Sequence, residues 1–183
     1  MDKENKIEEY LKIQIESVSK LSNHTETLKK ILSVLLTARE NGSRIYVMGN
    51  GGSASTSTHF VSDLLKTSIV EDKNRFKAIS LSDNIPLVFA WSNDVSFDSI
   101  FVEQLRNFID KNDVVIGISG SGNSENVLKA INFANKSEAT TISLTGNDGG
   151  KISKISNINL TISNNDMLTI ETMHLLVCHL LTT

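Results

Sequence analysis

The stretch RIYVMGNGGSASTSTHFVS, residues 44–62, decides how the fold of this chain is interpreted. It starts with an apolar run typical of a buried strand. Residues 49–62 then contain three glycines, six Ser/Thr hydroxyls and a histidine. A buried strand followed by a loop of small residues and then by a helix is the kind of junction at which parallel sheets bind their ligands. The stretch therefore points to an α/β fold with a binding loop after its first strand.

Outward from this stretch, short strand-like runs alternate with helical ones. The strand-like runs are residues 44–48, 76–81, 113–119, 140–145 and 158–162. The helical stretches are residues 54–66, 84–92, 97–109, 124–136, 147–155 and 167–181. Strands rich in β-branched residues that alternate with helices are typical of a parallel sheet covered on both faces. The sequence predicts a three-layer α/β sandwich with a five-stranded parallel sheet, in one domain over residues 1–183.

Residues 5–41 precede the first strand and carry apolar side chains at helical spacing. The pattern fits two helices or one long broken helix. An amphipathic segment of this kind has to pack on something, and a subunit interface is one option.

The composition argues against several classes of protein. The chain has 183 residues and a net charge of −3, which gives no support for a nucleic-acid or anionic-membrane partner. It has no apolar run of about eighteen residues that could span a bilayer. Its charged start, MDKENKIEEYLK, lacks the apolar core of a secretory signal, and the single Cys178 has no partner for an intrachain disulfide. We therefore expect a cytoplasmic protein.

Two strand-to-helix junctions carry the residues expected of an anion site. They are GNGGSAS (49–55) and SGSGNS (119–124). Free N–H groups and the dipole at a helix N-terminus favour a phosphate, glycines allow close approach, and hydroxyls donate hydrogen bonds. Neither loop has the lysine of a P-loop or the G-x-G-x-x-G pattern of a dinucleotide site. One such loop is usually only a turn or a cap, but two in a small domain favour a phosphate ligand.

Both loops supply predicted ligand contacts. The predicted phosphate contacts are Ser53, Ser119, Ser121 and Ser124, within binding loops that include Gly51, Gly52 and Gly120. Asn50 and Asn123 would either orient their neighbours or contact a sugar hydroxyl.

Four further residues are candidates for acid–base and metal chemistry. His59 and Asp63 are four apart, which places them on one face of the helix after the first loop. Glu171 and His179 share a stripe on the last helix but lie about 12 Å apart along its axis, so both must lean to reach one ion. Two imidazoles and two carboxylates suit zinc or another divalent ion of similar preference. Each histidine alone could equally be an ordinary helix residue with one local hydrogen bond.

Four segments together resemble a known family. They are GNGGSASTSTHF, IGISGSGNSENVLKAI (116–131), LTGNDGG (144–150) and a closing helix that contains HLLVCH. On these segments the chain resembles the sugar isomerase (SIS) domain family over nearly its whole length. The resemblance implies the flavodoxin-like SIS fold and a homotetramer with active sites at subunit contacts. It also implies that residues 1–41 are helices that help the tetramer to assemble.

The resemblance also implies an activity. The members most similar to this chain interconvert sedoheptulose 7-phosphate and D-glycero-D-manno-heptose 7-phosphate by proton transfer through an enediol(ate), with zinc where it is present. By the resemblance, serines of the two loops hold the phosphate, and Asn93 and Asp94 lie near the sugar. The implied zinc ligands are His59, Asp63, Glu171 and His179, of which Asp63, Glu171 and His179 are the candidate catalytic residues.

The chain departs from the family pattern at three positions. Asp63 stands where the family usually has glutamate, and Glu171 where it usually has glutamine. Leu168 replaces an aspartate, with Asp166 two residues upstream. The shorter Asp63 leaves open whether Asp63 or Glu171 is the base, with His179 exchanging the other proton. Two other functions also stay open: isomerisation of a different phosphosugar, and a non-catalytic phosphosugar-binding or adaptor role.

Overall fold

The computed structural model describes residues 3–183 and contains a five-stranded sheet. The strands are β1 (Arg44–Gly49), β2 (Lys77–Ser80), β3 (Val114–Ser119), β4 (Thr140–Gly146) and β5 (Ile158–Ile162). The strand order is β2-β1-β3-β4-β5, and every neighbouring pair is parallel. The predicted α/β class and the five parallel strands are confirmed.

Seven α-helices accompany the sheet in this part of the chain. They are α1 (Lys3–Lys20), α2 (Thr25–Asn41), α3 (Gly52–Ser62), α4 (Ile85–Asp94), α5 (Val102–Phe108), α6 (Glu125–Lys136) and α7 (Met167–Thr182). The segment before β1 forms two helices joined by a 3₁₀ turn, Leu21–His24. Among residues 3–183, no helix is both long enough and apolar enough to cross a bilayer.

The helices form one layer on each face of the sheet, as the sequence predicts for a three-layer sandwich. On one face, α2, α3 and α7 pack over a core that includes Ile45, Ile116 and Leu144. On the other face, α5 and α6 pack over residues that include Tyr46 and Val115. Successive strand residues point to opposite layers, and both layers exclude water. For this reason the sequences of the strands are continuous apolar runs and do not alternate between apolar and polar residues.

One predicted helix, over residues 147–155, is wrong. The segment is a loop that contains a single 3₁₀ turn, Ile152–Lys154. Asn147, Gly149 and Gly150 have φ values of 52°, 86° and 57°. A right-handed helix requires negative φ at every residue, so it cannot run through these positions.

The strand order places both glycine–serine loops at one point of the sheet. The chain leaves β1 toward one edge of the sheet and leaves β3 toward the other. In an open parallel sheet, this reversal opens a crevice outside the carboxyl ends of the two strands, where ligands bind. The first loop follows β1 and the second follows β3, so both border this crevice.

Candidate active site

The side chains of Asn50 and Asn126 connect the two loops. Asn50 Nδ2 donates to Asn126 Oδ1 at 2.9 Å, and Asn126 Nδ2 donates to Asn50 Oδ1 at 3.0 Å. Asn126 is buried, and its Oδ1 also accepts the backbone N–H of Val127 in α6. These bonds agree with an orienting role for Asn50, while its contact with a sugar hydroxyl stays a prediction. The sequence analysis missed Asn126, because nothing in the sequence pairs residues 76 positions apart.

The second loop gathers three hydroxyl groups. The Oγ atoms of Ser119 and Ser124 lie 3.1 Å apart. Ser124 is the N-cap residue of α6, yet its side chain makes no capping bond. The backbone N–H of Asn123 donates to Ser121 Oγ at 3.2 Å, which leaves the hydroxyl hydrogen of Ser121 available for a ligand. These hydroxyls, together with the N-terminus of α6, form a set of donors suited to a phosphate.

The first loop leads into the N-terminus of α3. Gly51, the N-cap residue, has φ 54° and ψ −122°, a conformation that glycine adopts without strain. Ser53 is buried in the first turn, packed against Gly49. The carboxylate of Glu171, from α7, lies against the Cα of Gly52, where a Cβ would overlap it. A negatively charged group therefore stands beside the first loop.

Two helices bring together three of the four predicted metal ligands. His59 lies on α3, Asp63 begins the turn that continues this helix, and His179 lies near the end of α7. Nε2 of His179 is 3.0 Å from Nε2 of His59. Oδ2 of Asp63 is 3.3 Å from Nε2 of His59 and 3.8 Å from Nε2 of His179. Both imidazoles are close to half exposed, so the cluster is open to a ligand.

These three ligand atoms fit a divalent cation. All of them lie within 4.8 Å of one another. A tetrahedral zinc ion with bonds of about 2.0–2.1 Å places its ligands roughly 3.3 Å apart, near the middle of the observed separations. Imidazole nitrogens combined with a carboxylate oxygen are a typical zinc ligand set.

Glu171 does not join this cluster. It precedes His179 by about two turns of α7, or about 12 Å along the axis. Its carboxylate faces Gly52 at the start of α3, away from His59. The two side chains of α7 thus do not lean toward one ion, and the structure brings together three ligands where the sequence analysis predicted four.

Asp63 is oriented by Thr67, a residue that the sequence analysis missed. Thr67 Oγ1 donates to Asp63 Oδ1 at 3.0 Å, which leaves Oδ2 facing the two histidines. The residues Asp63–Thr67 form a π-helical turn, in which the N–H of Ser68 bonds the carbonyl of Asp63. Such turns occur frequently at functional sites. The i, i+4 spacing of Asp63 and Thr67 was the signal that could have revealed the pair.

Two other polar residues of the α7 region have structural roles. The ring N–H at Nε2 of buried His174 donates to the carbonyl of Thr145 at 3.0 Å, and burial lowers the pKa of His174 to about 4. Asp166 caps α7 by accepting the hydroxyl and the backbone N–H of Thr169, and these bonds lower its pKa. Asp166 is thus engaged in capping, while Leu168 is exposed.

Asn93 and Asp94 are exposed at the C-terminal end of α4. Asn93 Nδ2 donates to Asp94 Oδ1 at 2.8 Å. Helix α4 begins at Ile85, beside the carboxyl edge of the sheet, so Asn93 lies about 12 Å further along the helix. Within residues 3–183, no hydrogen bond joins this pair to either loop. Their contact with a sugar stays a prediction.

Comparisons with known proteins agree with this geometry. The family model of the SIS domain matches residues 9–146. A phosphoheptose isomerase of Helicobacter pylori is 42% identical over 156 residues, which cover 85% of this chain and 81% of that protein. A phosphoheptose isomerase of Aliarcobacter butzleri is 35% identical over 173 residues, which cover 94% and 91% of the two chains.

Solved structures show the same fold. A phosphoheptose isomerase from Neisseria gonorrhoeae matches with a TM-score of 0.92 at 27% identity, over 99% of this chain and 97% of that one. The enzyme of the same name from Francisella tularensis matches with a TM-score of 0.93 at 28% identity, over 100% and 97%. The chain therefore belongs to the SIS domain family and, within it, to the phosphosugar isomerases that are named phosphoheptose isomerases.

Proposed function

We propose that this chain converts sedoheptulose 7-phosphate to D-glycero-D-manno-heptose 7-phosphate. The observation that carries the proposal is the arrangement along α3. Two loops suited to a phosphate border its N-terminus, and a cluster of two imidazoles and one carboxylate lies at its other end. The name shared by the relatives supports a heptose phosphate as the substrate.

The length of α3 supports a seven-carbon sugar. Ser53 and His59 are six residues apart, or about 9 Å at 1.5 Å per residue. In an extended heptose 7-phosphate, C2 lies about 9 Å from the phosphorus, given carbon–carbon bonds of about 1.5 Å. A phosphate held by the two loops would thus place C1 and C2 at the level of His59, whose Nε2 lies 3.3 Å from Oδ2 of Asp63.

The proposed reaction moves a proton between C1 and C2 through an enediol(ate). It needs a base, an acid and groups that stabilise the charge on the two oxygens. We assign Oδ2 of Asp63 as the base, since Thr67 holds the other carboxylate oxygen and directs Oδ2 into the cluster. His179 Nε2 exchanges a proton with the substrate oxygen. Glu171, beside the first loop, accepts a hydrogen bond from a sugar hydroxyl between the phosphate and the reacting carbons.

Phosphate binding supports the chemistry from a distance. Contacts made by Ser53, Ser119, Ser121 and Ser124 do not change during proton transfer. Their binding energy instead positions the far end of the sugar against Asp63 and His179.

His59, Asp63 and His179 would also hold a divalent ion, for which we propose Zn²⁺. While this ion is bound, Oδ2 of Asp63 and Nε2 of His179 would be its ligands, so Asp63 would accept the proton only once Oδ2 leaves the ion. The charge of the ion would then replace the proton of His179 at the substrate oxygen. Such an ion supplies positive charge that polarises the substrate carbonyl and stabilises the oxygens of the enediolate.

We further propose a cytoplasmic homotetramer whose active sites lie at subunit contacts, with α1 and α2 contributing to assembly. On α1, Ile7, Leu11, Ile15 and Val18 are 64, 56, 67 and 46% exposed. Their spacing puts them on one helix face, and an exposed apolar row of this length favours a protein partner. A neighbouring chain could then bring Asn93 and Asp94 to the sugar. Native mass spectrometry that finds only the 20.1 kDa monomer would contradict this assembly.

Incubation with sedoheptulose 7-phosphate, followed by proton NMR, tests the function. We expect the aldose to form, a chelator to stop its formation and added Zn²⁺ to restore it. A hexulose 6-phosphate and a pentulose 5-phosphate serve as controls of chain length. Turnover of one of these, with none of the heptulose phosphate, would show that the proposed substrate is wrong. Binding of phosphosugars without any turnover would instead support the non-catalytic alternative.

A further inference from the structure

The loop between β4 and β5 packs against the second glycine–serine loop, backbone on backbone. We call residues 147–152 the clamp loop. Gly122 and Gly150 face each other with φ values of 65° and 57°. A Cβ on Gly150 would lie 2.5 Å from the carbonyl oxygen of Gly122, and a Cβ on Gly122 would overlap the carbonyl of Gly149. Only glycine permits both this conformation and so close an approach.

Two hydrogen bonds fasten the clamp loop to its neighbour. The N–H of Ile152 donates to the carbonyl of Gly122 at 2.9 Å. The N–H of Lys151 donates to Oδ1 of Asn123 at 3.1 Å. Both acceptors belong to the loop that carries the predicted phosphate serines, so the clamp loop fixes that loop from outside.

Asn123 links the clamp loop to Ser121 by hydrogen bonds. Its Nδ2 donates to the carbonyl of Ser121 at 2.8 Å, while its backbone N–H donates to Ser121 Oγ at 3.2 Å. Both polar atoms of the Asn123 amide are therefore used within the protein. Of the two roles predicted for Asn123, this geometry favours orienting its neighbours over contacting a sugar.

We propose that the clamp loop and Asn123 are positioning residues, which hold residues 119–124 in the shape that binds the phosphate. This inference rests on the proposed function, because it concerns the same phosphate site. A preformed loop loses little conformational entropy when the ligand binds, so loosening it weakens binding. The proton-transfer groups lie elsewhere, and the loss should appear in KM rather than in kcat.

The test compares Gly150→Ala with Gly42→Ala. Gly42 also has a positive φ, of 69°, but it ends α2, and a Cβ there meets only the end of the Lys77 side chain, at 3.3 Å. Gly42→Ala thus introduces the same kind of backbone strain at a residue that does not contact the second glycine–serine loop. A third variant, Asn123→Ala, removes the acceptor for Lys151 without backbone strain and carries the test if Gly150→Ala does not fold.

The affinity of each variant for inorganic phosphate is measured by phosphorus NMR, alongside KM and kcat for sedoheptulose 7-phosphate. We expect Gly150→Ala and Asn123→Ala to bind phosphate about tenfold more weakly, the effect of losing one or two hydrogen bonds, with Gly42→Ala unchanged. Unchanged affinity in Gly150→Ala and Asn123→Ala would overturn the inference and leave the phosphate site intact. An equal loss in Gly42→Ala would overturn it as well. If the unaltered protein bound no phosphate, the proposed site itself would fail.

Discussion

Nε2 of His59 and Nε2 of His179 lie 3.0 Å apart, although 120 positions separate the two residues in the chain. The contact arises because α3 and α7 pack side by side. The ring centroids are 5.1 Å apart and the ring planes are tilted by 59°, so the nitrogens meet without stacking of the rings. Two imidazole nitrogens and Oδ2 of Asp63 thus converge on a space that fits one proton or one cation.

The first prediction concerns metal affinity. His59→Ala or His179→Ala removes one of three ligands and should weaken Co²⁺ or Zn²⁺ binding by more than the roughly 10- to 100-fold typical of outer-shell changes. Titration with Co²⁺, followed by its visible absorption, measures the affinity. His24→Ala is the matched control, because His24 lies in the turn between α1 and α2, outside the cluster. Equal affinity in all three variants would place the metal elsewhere.

The second prediction separates the two candidate bases. Asp63→Asn should lower kcat by about 10²- to 10⁴-fold, because the amide cannot accept the proton. Glu171→Gln keeps the shape of the side chain, which lies against Gly52 beside the first loop, so it should alter mainly KM. Steady-state kinetics on sedoheptulose 7-phosphate gives both values. The reverse outcome, with kcat lost only in Glu171→Gln, would assign the base to Glu171.

The third prediction tests the hydrogen bond between Thr67 and Asp63. Thr67→Val removes the hydroxyl at nearly constant shape and should lower kcat roughly fivefold, in line with about 1 kcal/mol for one hydrogen bond. Thr67 is exposed, so the melting temperature should hardly change. Thr67→Ser retains the hydroxyl and should restore most of the rate. A rate in Thr67→Val equal to that of the unaltered protein would mean that Asp63 needs no support.

A fourth prediction follows from the reciprocal amide pair. Asn50→Ala and Asn126→Ala each break both hydrogen bonds between the loops. Each substitution should raise KM. The double variant should raise KM little more than the worse single variant does, because the effects of substituting two residues in contact are not additive. A double-variant cycle on KM measures this coupling. Fully additive effects would show that the two loops are positioned independently.

The fifth prediction concerns stability at low pH. The pKa of His174 is lowered from its ordinary value of 6.5 to about 4, because the ring is buried. Below pH 6.5 the His174 ring binds a proton in the unfolded chain, whereas in the folded chain it stays neutral until the pH falls to about 4. The free energy of unfolding should therefore fall by up to about 3 kcal/mol across this range.

Urea denaturation at several pH values checks this expectation. His174→Gln retains an N–H donor for the carbonyl of Thr145 but does not titrate between these pH values. It should lose this part of the pH dependence. If its stability falls as steeply as that of the unaltered protein between pH 6.5 and 4, the loss comes from other groups.

Local patterns were enough to predict the sheet and the positions of both loops. Strands such as RIYVM are buried on both faces, and such strands are recognised by their continuous apolar runs. The helix predicted over residues 147–155 was wrong although the sequence carried a turn signal there. Asn147, Gly149 and Gly150 all have positive φ, and Asn and Gly are the residue types that adopt it most readily.

The site was predictable where helix spacing fixed it and not where a side-chain torsion did. The pair His59 and Asp63 follows from a spacing of four residues. The carboxylate of Glu171 could have reached toward His179 or toward Gly52, and only the packing of α7 on α3 selects Gly52. Asn126 and the clamp loop act through contacts across the fold, which a single sequence does not reveal.

The central claim is that the phosphate lies in the two loops while Asp63 and His179 act on the other end of the sugar. A crystal structure of the Asp63→Asn variant with sedoheptulose 7-phosphate tests it most directly. We predict the phosphate among Ser53, Ser119, Ser121 and Ser124, with C1 and C2 within about 3 Å of the side chains at positions 63 and 179. A phosphate bound elsewhere, or a sugar whose C1 and C2 point away from α3, would contradict the account.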